Sequence, residues 1–521
     1  MPKNFQPESP PHSTDAATPL LRRCFLKVGA LLGAGTAAGT HSAIALARSE
    51  PKKLSTNVAA RPAGLDKFKG EVITRNDSRY LGWFWAMTWY RIKPNRFPSM
   101  FVQPTDRDDL TLLMKFANDS KQRLVARSSG HNISNPVLAQ DAITVDMSLF
   151  DHIEELDTAQ KSVWAGPGVL SETLNKQLFA KGFAFPSAHT GFVTIGGYLL
   201  GGGMGWNMPQ WGMGCGSVIS AEVMLADGKI VNTSETENTD LFWAIRGVGP
   251  GFFGIVLRYK LRIHEAPVIV KNTYFYPIDK LEEAVAEYVK LLPQSANRTE
   301  VLGALGKFNP PSTPKGEEQW HWVVNLMSYG KTKEEALEAA KVFTQVSAIS
   351  KLAKANPAVN VPLTYLDLYS QLSTDFYSQF RTSEIALFTD EPGKALHSLA
   401  KTMSAKALDS RSFGFSVLGT NPTVPEPCSF TYSAPHYLSW YLIGTTKEDV
   451  AKNYKLADEL YALLKPLAKG YYINEIDLTR FPALVKECFS AEKWKKLLAV
   501  RKQFDPNKRF VSYLDRYSDK R

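Results

Sequence analysis

The sequence predicts an α+β fold that changes architecture near Ala266, and three observations lead there. From about Gly70 to Glu265, short apolar runs alternate with helical stretches and Gly-rich turns. Beyond Ala266, long amphipathic helices are separated by segments of period two, the pattern of a half-buried antiparallel sheet covered by helices. From Tyr471 the chain returns to a strand-like run and a closing helix.

Taken in order, the first element is a leader. Leu21-Arg22-Arg23-Cys24-Phe25-Leu26-Lys27 precedes a stretch from Val28 to Ala47 that carries no charge beyond what His41 acquires. This is the layout of a signal peptide, and the paired arginines followed by Phe-Leu-Lys resemble the twin-arginine (Tat) signal that exports folded proteins from bacteria. Ala43-Ile44-Ala45 and Ala45-Leu46-Ala47 are alternative cleavage sites. The stretch is rich in Gly, Ala, Thr and Ser, so insertion as a permanent anchor is weakly driven, and a periplasmic or secreted mature chain with no membrane span is expected.

Leu124–Ala126, Ile143–Asp146, Ser162–Ala165, Ala221–Leu225 and Phe253–Ile263 then read as strands, most of them bounded by Gly, Asp or Ser. Asp240–Arg246, closed by Gly247, reads as a short helix with a glycine cap. Lys280–Leu292, Lys333–Phe343 and Lys447–Leu464 read as helices, each beginning at a capping residue. Thr332 with Glu335 and Thr446 with Asp449 have capping-box or closely similar spacing. Trp320–Leu326, Phe413–Leu418 and His436–Leu442 supply the alternating strands between them.

Composition excludes several classes of function. The 521 residues, 44% hydrophobic and 11% aromatic, suffice for two to four folded domains. Of the net charge of +10, the first 47 residues contribute +2, and the rest is spread thinly. No basic stripe interleaved with aromatics marks a nucleic-acid surface. Cys215, Cys428 and Cys488 remain after cleavage, with no Cys-x-x-Cys spacing, which argues against a disulfide framework and a structural zinc site; one disulfide stays open. No metal site is expected.

Three motifs can carry chemistry. Arg127-Ser128-Ser129-Gly130-His131-Asn132 follows a strand, and small residues with free backbone N–H groups there make a nest for a phosphate or pyrophosphate. Ile195-Gly196-Gly197-Tyr198-Leu199-Leu200-Gly201-Gly202-Gly203-Met204-Gly205 holds six glycines in the ten residues 196–205. That density weakens any regular element and implies backbone passing close to something flat or bulky. Gly247-Val248-Gly249-Pro250-Gly251-Phe252-Phe253-Gly254-Ile255-Val256 again runs from a Gly-rich loop into a strand. None of these is a Rossmann fingerprint or a Walker loop.

With Pro104 and its Asp/Leu run, Ala221-Glu222-Val223-Met224-Leu225-Ala226-Asp227-Gly228, Asp240-Leu241-Phe242-Trp243-Ala244-Ile245-Arg246-Gly247, Tyr472-Ile473-Asn474-Glu475-Ile476-Asp477 and Phe504-Asp505-Pro506-Asn507-Lys508-Arg509-Phe510, the ordered set resembles the berberine-bridge-enzyme-like FAD-linked oxidases of the vanillyl-alcohol oxidase superfamily. The resemblance covers nearly all of the mature chain. It implies a two-part FAD-binding domain of the PCMH type over residues 57–265, completed by 470–521, with 266–469 as the substrate domain whose antiparallel sheet roofs the flavin.

By the same resemblance, Ser128, Ser129 and Gly130, flanked by Arg127 and Asn132, cradle the pyrophosphate. His131 stands where the family places its covalent flavin link. Thr190, Val193, Gly196, Gly197, Gly201, Gly202, Gly203 and Gly205 on the glycine segment, with Gly254, Ile255 and Asn474, complete the cofactor set. Doubly linked members carry a cysteine three residues before Val193; here that position is Thr190, so a single link through His131 is expected, with Cys215 folding back as the alternative. Where Tyr-x-Asn-Tyr is common, this chain reads Tyr472-Ile473-Asn474-Glu475, which makes Glu475, as the base, and Tyr472 the catalytic candidates. In a regular strand Glu475 faces away from Tyr472 and Asn474 unless a bulge intervenes, and a solvated or ion-paired glutamate is the competing reading. Tyr437, Trp440 and Tyr441 are candidates for lining the pocket.

The resemblance thus implies an enzyme that takes a hydride from a small alcohol, phenol, amine or sugar to FAD and then to O2, giving H2O2. A dehydrogenase passing electrons to a quinone or cytochrome, and a catalytically silent flavin-holding or ligand-binding protein, are the alternatives.

Overall fold

The computed structural model describes residues 59–310, 318–372, 380–381, 384–419 and 427–516. The leader at 1–47 lies outside the described residues.

Four short apolar runs form the first sheet: β1 (Glu71–Thr74), β2 (Met100–Gln103), β3 (Leu124–Arg127) and β4 (Ile143–Asp146), in the order β1-β2-β4-β3. β1 pairs antiparallel with β2, and the other pairs are parallel. Parallel strands need a crossover, and the helix Arg107–Asp119 supplies the one that carries the chain from β2 past the position of β4 to β3. Asp106 caps it by accepting the Asp109 N–H, and Leu110, Leu113, Met114 and Ala117 form its buried stripe.

The next strands are β5 (Ser162–Ala165), β6 (Phe183–Ala184), β7 (Val218–Met224), β8 (Ile230–Ser234) and β9 (Ile255–Arg262). Four of them make an antiparallel sheet ordered β5-β9-β7-β8, while β6 pairs with β10 (His264–Glu265). Both sheets are built from the chain before Ala266.

After Ala266 the chain builds one large sheet. Its strands include β11 (Val268–Pro277), β12 (Thr299–Phe308), β13 (Gln319–Gly330) and β14 (Ala355–Leu363). Then come β15 (Phe380–Arg381), β16 (Ile385–Thr389), β17 (Phe413–Leu418), β18 (His436–Tyr441), β19 (Ile443–Gly444) and β20 (Gly470–Ile476). The order is β14-β11-β13-β12-β17-β18-β16-β20, antiparallel throughout, with β15 and β19 forming a separate pair.

Helices Leu281–Leu291, Lys333–Thr344, Pro392–Ser404 and Lys447–Leu464 accompany this sheet. Thr446 and Asp449 form a reciprocal capping box, and Thr332 accepts the Glu335 N–H. Leu281–Leu291 departs from expectation: Lys280 precedes it and makes no side-chain cap. The alternation along β18 divides two cores. Leu438 and Trp440 pack with Leu396, Leu399 and Ala400 of a covering helix, while Tyr437 and Tyr441 pack with Phe415, Met204 and Trp206 on the opposite face. Trp440 is therefore core; of the three residues expected to line the pocket only Tyr441 does so, Tyr437 being buried behind it.

The expected boundary at 470 coincides with the start of β20, which pairs with β16 and so belongs to the large sheet. Only further on does the chain return to the first sheet, where Arg509 and Val511 bond Leu124 of β3 through the backbone, the N···O distances being 2.9 and 2.8 Å.

One carboxyl in this scaffold is costly. Glu300 on β12 is fully buried, accepting from the Tyr329 hydroxyl at 2.8 Å and the Asn207 N–H at 3.3 Å. Burial pushes its pKa from 4.5 up to about 7. The folded state thus holds this proton to higher pH than the unfolded state does. Stability falls as pH rises from about 4.5 to about 7 and levels off above, by ~3 kcal/mol as an upper bound. The expected result is that the melting temperature of Glu300→Gln, measured against the parent from pH 4.5 to 8, gains a few degrees across that window. A constant difference would show that Glu300 does not titrate there.

Candidate functional site

The site is a cleft whose walls come from the three sheets and the segments that join them. After β3 the chain turns through Ser128, Ser129 and Gly130, and Gly130 adopts φ +71°. A Cβ there would lie 2.1 Å from the Met87 carbonyl, so the turn requires glycine. His131 emerges into the cleft with its ring against those of Trp89 (centroids 5.5 Å) and Phe192 (5.2 Å), which also touch each other (6.2 Å), and its Nδ1 lies 2.9 Å from Ser129 Oγ. These contacts fix the imidazole's orientation. Neither Trp89 nor Phe192 was foreseen, since they lie in other segments and neither sits in a motif.

Of the residues expected to hold the cofactor, Arg127, Ser128, Ser129, Gly130, His131, Asn132, Thr190, Val193, Gly196, Gly197, Gly254, Ile255 and Asn474 all line this cleft. Arg127 does so without offering its charge. Its guanidinium pairs with Asp146 at 2.8 Å and bonds the Met87 carbonyl at 3.1 Å. Asn132 ties the loop to β20 by donating to the Asn474 carbonyl at 3.2 Å.

The glycine segment divides into two parts. Ile195–Leu200 is a six-residue helix, so glycine here coexists with regular structure. Gly196 packs on Pro167 and Ser128, where a Cβ would lie 2.5 Å from Ser128 Oγ. Gly197 differs: it lines the cleft, and a Cβ built on it meets no protein atom within 4 Å. That open face, beside a nest of small residues and next to His131, fits a large flat cofactor such as FAD. Gly201, Gly202, Gly203 and Gly205 do not line the cleft; they stand one layer behind it. Side chains of Asn474, Phe430 and Tyr198 occupy the places of their absent Cβ atoms, the nearest being Asn474 Oδ1 at 1.9 Å from the Gly201 position. These glycines shape the wall by close packing instead of touching the cleft.

β20 carries the catalytic candidates. Tyr471 pairs with Leu387, but Ile476 pairs with Ile385, so the register breaks between them. The bulge resets the alternation, and Tyr472, Asn474 and Glu475 all line the cleft. Glu475 accepts from the Tyr437 hydroxyl, and from that of Tyr441 at 3.2 Å. No ion pair to Glu475 exists among the described residues; it is half-buried, with two tyrosine hydroxyls on its carboxylate. Burial raises the Tyr437 hydroxyl well above its ordinary value, with Glu475 adding to the shift, so Tyr437 stays protonated and donates.

Tyr472 is pinned in another way. Its hydroxyl oxygen accepts from Gly203 N at 3.2 Å and Met204 N at 3.1 Å, and burial raises its pKa too. A neutral phenol held by two amides organises the glycine segment and is poorly suited to act as a base. Glu384, at the start of β16, is a second carboxylate lining the cleft and accepts from the Tyr90 hydroxyl at 3.1 Å. It was not foreseen, because only pairing with β20 brings it there.

Cys215 is fully buried and does not line the cleft, and Cys215, Cys428 and Cys488 are free thiols. Burial raises the Cys215 thiol above its ordinary value. No described helix is long and apolar enough to cross a membrane.

Comparison with known proteins agrees with this geometry. The FAD binding domain family matches residues 98–234. FAD-linked oxidoreductase ptmO of Penicillium ochrochloron is 34% identical over 202 residues, 39% of this chain and 45% of that protein. (R)-6-hydroxynicotine oxidase of Paenarthrobacter nicotinovorans is 30% identical over 170 residues, 33% of this chain and 37% of that one. The chain thus spans less than half the length of either relative in these alignments. The solved structure of Physcomitrella patens BBE-like 1 superimposes with a TM-score of 0.74 at 19% identity, covering 88% of this chain and 99% of that one. The chain therefore carries an FAD-binding domain, is related to FAD-linked oxidoreductases, and has the fold of the BBE-like proteins.

Proposed function

We propose that this protein is an exported FAD-dependent oxidoreductase that takes a hydride from a small organic substrate, an alcohol, phenol, amine or sugar, and passes the electrons to O2 as an oxidase. The observation that carries the reading is the bulge in β20, which brings Glu475 into the cleft that also holds His131 and the open face of Gly197. Bound FAD supplies a two-electron acceptor. Glu475 receives the proton of the substrate's hydroxyl or amine, and Tyr437 and Tyr441 hold its carboxylate in place. His131 is the single point of covalent attachment. Thr190 offers no sulfur, and the Cys215 thiol lies outside the cleft.

The reading is tested directly. Mature protein is expected to be yellow, to bleach anaerobically with at least one member of a panel of small alcohols, phenols, amines and sugars, and to yield H2O2 in air. Bleaching without peroxide, but with turnover on a quinone, would replace the oxidase by a dehydrogenase. A flavin-loaded protein that no substrate bleaches would leave only a binding role.

Export rests on the leader alone. Replacing the pair by Arg22→Lys and Arg23→Lys is expected to keep the full-length protein in the cytoplasm of a host with the twin-arginine route, as read by fractionation. Periplasmic protein from that variant would refute the assignment.

A further inference from the structure

Within the cleft, His189 is a titratable side chain to which the proposed reaction assigns nothing. Its ring is held edge-on between Trp206 (centroids 4.7 Å, 80°) and Phe415 (5.8 Å, 68°), and its Nε2 is buried without a hydrogen-bond partner. Trp206, fully buried behind it, has an Nε1 in the same condition. Buried polar atoms in native proteins are almost always bonded, and those left over mark places where something else supplies the bond. Burial lowers the His189 pKa to about 4, so the imidazole is neutral at physiological pH, with one donor and one acceptor and no charge.

Beyond Phe415, whose ring stands 6.3 Å from that of Tyr437, lies the carboxylate of Glu475. Among the described residues lining the cleft, Arg127 is the one arginine or lysine, and it pairs with Asp146. The substrate end is therefore walled by aromatic rings, one neutral imidazole and the carboxyl groups of Glu475 and Glu384, with no cation among the described lining residues left to neutralise an anion. Aromatic walls favour flat rings that stack on them.

We infer that His189 is a substrate-contacting residue: it hydrogen-bonds the polar substituent of a flat, uncharged, hydroxyl-bearing ring, and the pocket rejects ring carboxylates. This deepens the oxidoreductase reading and rests on it. A carboxylate there would face Glu475 with no cation to offset the repulsion, whereas an alcohol gives its proton to Glu475 and meets His189 with no charge to desolvate.

The test uses flavin-loaded mature protein, with 4-hydroxybenzyl alcohol and 4-hydroxybenzoate as probes. Each is titrated anaerobically while flavin absorbance reports binding or bleaching. The alcohol is expected to half-saturate at a concentration at least about tenfold below that of the acid. His189→Leu should raise the alcohol's half-saturation about tenfold, while His189→Gln, which keeps a donor and an acceptor, stays within about threefold, the size of one neutral hydrogen bond. Flavin content and melting temperature should match the parent in both variants. Unchanged saturation in His189→Leu, an acid that binds as well as the alcohol, or a flavin that neither probe perturbs would each overturn the inference. A protein that takes up no flavin would instead refute the function proposed above, so the two failures are distinct.

Discussion

Glu475→Gln lowers the rate of anaerobic flavin reduction by about 10²- to 10⁴-fold while leaving flavin content unchanged, if Glu475 receives the substrate's proton. The substitution isolates the role because glutamine keeps an oxygen for the Tyr437 and Tyr441 hydroxyls and so preserves the wall. What it removes is the capacity to take a proton. A carboxylate that merely positioned the two tyrosines would tolerate the change, and the rate would stay within a few-fold of the parent. Stopped-flow reduction with a substrate that bleaches the parent decides between them.

His131→Ala is expected to abolish covalent attachment altogether. In the parent, acid denaturation leaves the yellow colour with the peptide containing His131; in the variant, all flavin passes to the supernatant. The variant should still fold and bind FAD reversibly, because the nest, Gly197 and the glycine wall behind it do not depend on the imidazole. If tethering raises the two-electron potential, each ~30 mV lost on its removal weakens hydride uptake tenfold at equilibrium. Covalent flavin retained in the variant would move the link to another residue.

Much of the fold is legible in the sequence because glycine, aspartate and serine punctuate its short strands, and because the Thr446–Asp449 box announces its helix. β11 and β12 were not read. Their residues are buried on both faces, so the period-two signal is absent. The density of glycine correctly announced close packing but not its partner. Gly201, Gly202, Gly203 and Gly205 lie against Asn474, Phe430 and Tyr198, two of them far along the chain. The side on which Glu475 projects depends on a register break against β16, a property of pairing that no local pattern encodes. Trp440 failed for the related reason that alternation tells which residues share a face, not which face meets the cleft.

The path of the last fifty residues bears on assembly of the cleft. Glu475 and Asn474 enter the large sheet, and the backbone of Arg509 and Val511 then docks on Leu124, close to the His131 loop. The chain up to residue 469 holds the loop and the glycine wall but neither Glu475 nor the closing contact. The cleft is therefore complete only once the segment from 470 to 511 has joined it.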